Sequence, residues 1–307
     1  MPRKNITRKG IQNHKPKIIK VEKMKKVYLT LGGGLGDVFW TYIEGHNGWQ
    51  FLKSFKNKYP DGKIKVLAAT HNPQVEELLK YHPDITVFKN FGWVLDGTEL
   101  WKKYKGGFKH LKDTKDGLSK NRNRIYLSTE DQEKIDEITH AGPFLLIHPF
   151  AGEKIRCAIF PDDYKIIIDK LLEETNFNIV VIGGSYIRTN KVNRFKMTEE
   201  FEYSHDRVFN LVNKSNCRVC ATLAEHQHSF IGSWSAYSCV SWIYNKPSTI
   251  IVPKTMAKVF KEEKQGPEGR WKDKKNINII SVEGTILNSG REYSLDQIIV
   301  QILKEYK

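Results

Sequence analysis

No stretch of this chain approaches the about 20 uncharged apolar residues that a membrane-spanning helix needs. The first 26 residues also lack the apolar block of a secretion signal. The sequence therefore reads as a soluble, cytoplasmic protein. Cysteine is scarce: there are four in 307 residues. Two of them are only three positions apart, so they make no disulfide framework and are expected to be free thiols. Internal repeats and low-complexity blocks are missing, which excludes solenoids and fibrous polymers. What is present is a globular composition, 39% hydrophobic and 28% charged, over a length that suits two cored domains.

Acidic residues are unevenly lacking. The whole chain carries 50 Lys and Arg against 35 Asp and Glu, a net charge of +15. Residues 1–26 contain ten basic side chains and the single acid Glu22, and residues 89–125 contain ten against four. The rest of the chain is balanced. Both basic segments lie in the first half, which predicts a positive field there that attracts a polyanion such as nucleic acid or an anionic glycolipid.

Hydrophobic periodicity divides the chain into a flexible basic tail (1–26), two α/β domains (27–141 and 142–290) and a terminal helix (291–307). In the first domain, Val27–Leu31 predicts a strand that ends at Gly32-Gly33-Gly34-Leu35-Gly36-Asp37. A helix with Val38, Tyr42, Trp49 and Leu52 on one face follows. Strands at 64–69 and 85–88 and a helix around 75–79 continue the βαβ alternation. Residues 129–143 form an acidic amphipathic segment closed by Ala141-Gly142-Pro143. Beyond that punctuation, strands are predicted at 144–147, 179–182, 209–212, 229–232 and 249–252, with helices at about 164–172, 217–226 and 236–245. A Lys-rich loop occupies 254–275 and an amphipathic helix spans 295–303. The fold class is α/β, with βαβ units in the first half and an open sheet covered by helices in the second.

The glycine turn is not a dinucleotide fingerprint. Counting from Gly32 the third glycine position is Asp37, and from Gly34 it is Phe39; no acid ends the second strand, and no Gly-Lys-Ser/Thr marks a P-loop. Gly33 and Gly34 are instead expected to admit a ligand to the backbone. Asp37 is either an N-cap or a carboxylate turned toward the cleft.

These residues carry a resemblance. Leu31–Val38 is similar to the G-x-L-G-D-V opening of glycosyltransferase family nine, the ADP-heptose-dependent heptosyltransferases, which have the two-domain GT-B fold. FLLIHPFAG at 144–152, followed by Phe160-Pro161, resembles the family's H-P-G-A…W-P segment, and IVVIGGS at 179–185 its next strand and glycine pair. The family's D-S-G-P-M-H-L-A-A-A-L-G-K-P lies without gaps on Trp234–Pro247; the serine and Lys-Pro remain, Asp is replaced by Trp234 and His by Cys239. FIGSWSAYSCVSW also resembles the variant of autotransporter heptosyltransferases. The Lys that precedes W-P in the family is Ala158 here, with Lys154 and Arg156 nearby.

The resemblance implies an inverting glycosyltransferase that needs no metal and no cofactor beyond its nucleotide-diphosphate sugar. Asp37 would be the catalytic base. The donor would lie against Gly33, Gly34, Lys154, Arg156, Gly183, Gly184, Ser233, Ser235, Ala236 and Tyr237, with the helix start near Ser235 holding the diphosphate and the cations balancing leaving-group charge. Trp93, Trp101, Lys102, Lys103 and Tyr104, where aromatics alternate with cations, suit a stacked base and phosphates, although core aromatics on a solvated helix would read the same way. In GT-B enzymes the first domain takes the acceptor. DNA carrying a hydroxylated base is accordingly placed ahead of a lipopolysaccharide core or a protein as acceptor. A non-catalytic nucleic-acid-binding protein on a degenerate transferase fold is the alternative from another class. His148 reads as structural or as a ligand. Cys217-x-x-Cys220 with His226 and His228 has partial zinc spacing but fits one helix face equally well.

Overall fold

The computed structural model describes residues 26–32, 35–43, 57, 60, 62–69, 74–90, 123–151, 156–184, 201–258, 276–283 and 293–306. In the first half, β1 (Lys26–Gly32), β2 (Lys63–Ala69) and β3 (Ile85–Asn90) form a parallel sheet in that order, with α1 (Leu35–Ile43) and α2 (Gln74–Leu79) between them. Asn123 closes the carboxyl end of α1: its backbone N–H donates to the Ile43 carbonyl at 2.9 Å and its side-chain amide to the Tyr42 carbonyl at 2.6 Å. Those carbonyls lack intrahelical partners at a helix end, so the distant segment supplies what the helix cannot. Trp49 and Leu52, expected on the same helix, lie outside the described residues.

The second half comprises α3 (Thr129–His140), β4 (Phe144–His148), α4 (Pro161–Glu174), β5 (Asn178–Val181), β6 (Val208–Asn210), α5 (Cys217–His226), β7 (Ser229–Gly232), α6 (Ala236–Ile243), β8 (Ser248–Pro253), β9 (Ile277–Val282) and α7 (Leu295–Leu303). Its six strands are all parallel, in the order β6-β5-β4-β7-β8-β9. This is the doubly wound Rossmann order, whose switch point falls between β4 and β7. Side chains alternate across β4: Phe144 and Leu146 enter one core, and Leu145 and Ile147 the other. All four are buried, and each such side chain contributes about 1.5–3 kcal/mol.

One core, on the α4 and α7 side, gathers Tyr164, Ile167, Ile168, Leu171, Ile298, Ile299 and Ile302. The other is continuous between the two halves. Val38, Phe39 and Tyr42 of α1 and Leu78 and Leu79 of α2 share it with Val219 and Leu223 of α5 and Tyr237, Val240 and Trp242 of α6. Most expected elements form within a residue or two of their predicted bounds. The strand expected at 209–212 is shifted to Val208–Asn210, and β9 was not foreseen, because its short Ile-Asn-Ile-Ile run follows a Lys-rich stretch that reads as loop.

A buried ion network fastens the same seam. Arg218, 2% exposed at the start of α5, donates through Nε to Asp131 of α3 at 2.9 Å and through Nη1 to the Glu77 carboxylate of α2 at 2.6 Å. Its guanidinium lies 4.7 Å from the Tyr81 ring centre. Burial pulls the Asp131 carboxyl upward, but hydrogen bonds from Asn216 and Arg218, together with the guanidinium charge, outweigh it and hold the group below the ordinary carboxylate range. Removing Arg218 strands a buried carboxylate. Arg218→Ala is therefore expected to lose about 3–5 kcal/mol of stability. The measurement is the urea unfolding midpoint, and a loss below about 1 kcal/mol would show that the network relaxes without its arginine.

Candidate functional site

The carboxyl ends of β4 and β7 lie side by side at the switch point, with His148 paired to Gly232. Open α/β sheets bind ligands in the crevice outside such strand ends. His148 is buried, and its Nδ1 lies 2.8 Å from the Ser235 hydroxyl. Ser235 is the N-cap of α6 and forms a capping box with Ser238: the Ser235 N–H donates to Ser238 Oγ at 3.0 Å, and Ser235 Oγ accepts from the Ser238 N–H. Ser233 is also buried, with its hydroxyl 3.4 Å from that of Tyr164. The expected donor residues Ser233, Ser235 and Ala236 thus stand together at the first turn of a helix whose remaining backbone N–H groups offer the positive end of its dipole.

Tyr237 takes a different part. Its ring is buried, 5.1 Å from His148 and 5.9 Å from Phe39 between ring centres, and its hydroxyl meets Cys220. It packs α6 against α1, so what it can offer a ligand is its backbone N–H. Gly183 is buried with φ +138°, a conformation that side chains rarely adopt, and a Cβ there would lie 2.6 Å from Phe150 and 3.1 Å from His148. Packing alone accounts for that glycine. Gly184 next to it is exposed.

The first half reaches this site through α1. A Cβ on Gly36 would meet Cys239 Sγ at 3.3 Å and the Ala236 backbone at 3.4 Å, so the first turns of α1 and α6 touch where Gly36 has no side chain. Asp37 is the next residue, rotated by about 100° around the helix. It is exposed and lies inside the first turn of α1, not at the N-cap position before it. On the other side of the site, the Arg156 guanidinium carbon sits 4.8 Å from the centre of the Trp234 ring, and Trp234 is buried immediately before the N-cap. Gly33, Gly34, Lys154 and the acceptor candidates Trp93, Trp101, Lys102, Lys103 and Tyr104 lie outside the described residues.

Cys217 and Cys220 occupy the core side of α5 as buried thiols. Burial raises both; Cys220 is pushed up to about 12. Among the described residues no group of three His, Cys, Asp or Glu side chains could hold a metal ion, and no helix is long and apolar enough to cross a membrane. The Arg218 network and the service of His148 to Ser235 were missed in the sequence. Only the order of motifs, His148 ahead of the Ser-rich turn, hinted at the latter.

The architecture can be compared with known proteins once this geometry is described. No protein-family model matches the sequence, and neither does any curated protein. Solved structures do. A glycosyltransferase of family 9 from Veillonella parvula is 10% identical and superposes over 92% of this chain and 98% of its own, with a TM-score of 0.52. The ADP-heptose lipopolysaccharide heptosyltransferase II of E. coli is 11% identical over 92% of this chain and 100% of its own, at a TM-score of 0.47. The E. coli heptosyltransferase WaaC with ADP is 11% identical over 91% and 97%, at 0.45. The fold is thus of the GT-B class expected from the motifs.

Burial drives the His148 imidazole down from 6.5 to about 3, so the folded protein keeps it neutral. The unfolded chain protonates it near pH 6.5, and unfolding in between takes up a proton. Stability is therefore full above about pH 6.5 and declines as pH falls toward about 3. His148→Asn keeps a hydrogen-bonding atom at the Nδ1 position but does not titrate. Urea midpoints between pH 4 and 7 should flatten in this variant; an unchanged slope would refute the assignment.

Proposed function

We propose that the chain is a glycosyltransferase that moves a sugar from a nucleotide-diphosphate donor to a hydroxyl on a polyanionic acceptor. One observation supports the reading: Gly36, the residue before Asp37 in the first turn of α1, meets the backbone of Ala236 in the first turn of α6. In this reading the Asp37 carboxylate, from one half of the chain, works with the first turn of α6, from the other.

In this reading the donor's diphosphate lies against the first turn of α6, with the Ser233 and Ser235 hydroxyls and the Gly183-Gly184 strand end around it. Gly33 and Gly34 let it approach the first half. The acceptor oxygen attacks the anomeric carbon while Asp37 takes its proton, because an alcohol is a poor nucleophile until that proton leaves. As the new carbon–oxygen bond forms, the bond to the diphosphate breaks and its electron pair stays on the leaving oxygen. Arg156 and Lys154 supply positive charge where that negative charge grows, so the step needs neither a metal nor a cofactor. Direct displacement inverts the anomeric centre.

The charge distribution supports the polyanion. The basic excess is confined to residues 1–26 and 89–125, in the half assigned to the acceptor. DNA with a hydroxylated base is preferred, with Trp93, Trp101 and Tyr104 stacking an extruded base and Lys102 and Lys103 meeting phosphates. A phosphorylated lipopolysaccharide core is the alternative.

Asp37→Asn should lower kcat by about 10²–10⁴-fold with nucleoside diphosphate affinity and melting temperature unchanged; activity within a few fold of the parent would remove Asp37 from the chemistry. The acceptor is tested by filter binding and sugar transfer at increasing salt. Binding to DNA should weaken steeply with salt, and less steeply after residues 1–26 are deleted. Transfer to a phosphorylated oligosaccharide without salt-dependent DNA binding would replace DNA by the glycolipid.

A further inference from the structure

His148 has one ring nitrogen with a partner and one without. Its Nδ1 lies 2.8 Å from the Ser235 hydroxyl, and that oxygen, as the cap of α6, already accepts the Ser238 N–H. Among the described residues, the hydroxyl hydrogen of Ser235 has no acceptor other than Nδ1. The bond therefore runs from Ser235 O–H to Nδ1. The opposite direction would strand both that hydrogen and the Nε2 lone pair, whereas this one strands a single N–H. Burial keeps the imidazole neutral, and a neutral ring that accepts at Nδ1 carries its hydrogen on Nε2. That Nε2–H meets no acceptor among the described residues. Packing fixes the ring: it stands edge-on to Tyr237, with centres 5.1 Å apart and planes at 81°, and to Phe150, at 6.2 Å and 74°. Its Cδ2–Nε2 edge is on the Gly183 side, where a Cβ would lie 3.1 Å from Cδ2 and 3.2 Å from Nε2. The Gly183 carbonyl is engaged by the Asn213 N–H at 3.0 Å, and Gly184 beyond it is exposed. One ring thus joins the start of α6, through Nδ1, to the glycine pair beyond β5, beside Nε2.

We propose that His148 is a ligand-binding residue whose Nε2–H donates to a phosphate oxygen of a nucleoside diphosphate. The inference rests on the donor reading above and deepens it, because that reading lays the diphosphate between the two places the ring joins. A donor held out of water without an acceptor is costly, and an incoming oxygen removes the cost. An anionic oxygen does so best, since hydrogen bonds to charged acceptors are the stronger ones. The donor is also fixed before the ligand arrives: Ser235, Tyr237 and Phe150 hold the ring, so little side-chain freedom is lost on binding. Ser235 then has two tasks. It caps α6, and by donating to Nδ1 it dictates which nitrogen presents a hydrogen to the ligand.

The test combines nitrogen NMR of the isotope-labelled full-length protein with calorimetric titration of ADP, UDP and inorganic pyrophosphate and with thermal melts. Of the ten histidines, the one whose signals vanish in His148→Asn should show the Nε2–H tautomer in the free protein, and its Nε2 resonance should move when the diphosphate binds. Two variants separate the ring's two ends. Asn places an acceptor where Nδ1 stands and nothing at Nε2, whereas Gln places an N–H at Nε2 and nothing at Nδ1. His148→Asn should therefore melt close to the parent yet bind the diphosphate roughly ten- to hundredfold more weakly, the range of a hydrogen bond to a charged group. His148→Gln should melt lower, having lost the bond to Ser235, yet stay within a few fold of the parent's affinity. A histidine that only supports the cap cannot give that crossing: affinity would follow the melting temperature in both variants, and this result overturns the proposal. So does an Nδ1–H tautomer, or an unchanged affinity in His148→Asn. Failure of the parent to bind ADP, UDP and pyrophosphate alike would instead overturn the donor reading on which the proposal stands.

Discussion

The crossing of α1 and α6 is the constraint on which the rest of the molecule depends. Two helices approach closely only where their side chains permit, and here Gly36 and Ala236 are the permission. The contact sets the distance between the first sheet and the switch point of the second. Below it Phe39 and Tyr237 tilt together, and beyond them the core runs on to Leu223 and Trp242 without a boundary. The Arg218 network lies on the same seam. Its bonds to Asp131 and Glu77 fix direction, whereas the apolar core supplies most of the attraction, since buried ion pairs recover little net free energy after desolvation.

Local chemistry explains how much could be read in advance. The largely apolar strands β4, β5 and β8 are buried in a parallel sheet, and a run such as Ile179-Val180-Val181 has few other uses. Asn216 and Ser235 mark the starts of α5 and α6 because short polar side chains compete for the first free N–H groups. By contrast, Arg218, Asp131 and Glu77 are each unremarkable in sequence, being charged residues on helices. Only the folded chain brings them together, and no spacing rule links positions so far apart. Ser235 announced itself as a helix cap, but the structure gives Tyr237 and Gly183 packing duties that periodicity could not separate from ligand contact. It also connects Arg156 to Trp234, which no pattern in the sequence relates.

Ser235 joins capping and candidate chemistry in one hydroxyl. It orders the backbone N–H groups that would receive a phosphate, while His148 anchors it from the neighbouring strand end. Neutrality of the buried imidazole matters here. A protonated His148 would bring a charge into a pocket built for hydrogen bonds and would compete for the position of the hydroxyl. The candidate site is thus held at its base by uncharged contacts. Such an arrangement would lower the reorganisation required if an anion bound there.

The continuous core also bears on synthesis. Val38, Phe39 and Tyr42 are made early, but the surfaces of α5 and α6 that cover them come from residues 217–243. During translation the first sheet must therefore wait with an apolar helix face uncovered, and it can complete its packing only when most of the chain has emerged from the ribosome. Folding domain by domain, the usual course for chains of this length, would leave that apolar face uncovered until α5 and α6 are made, which is when exposed apolar surface favours aggregation.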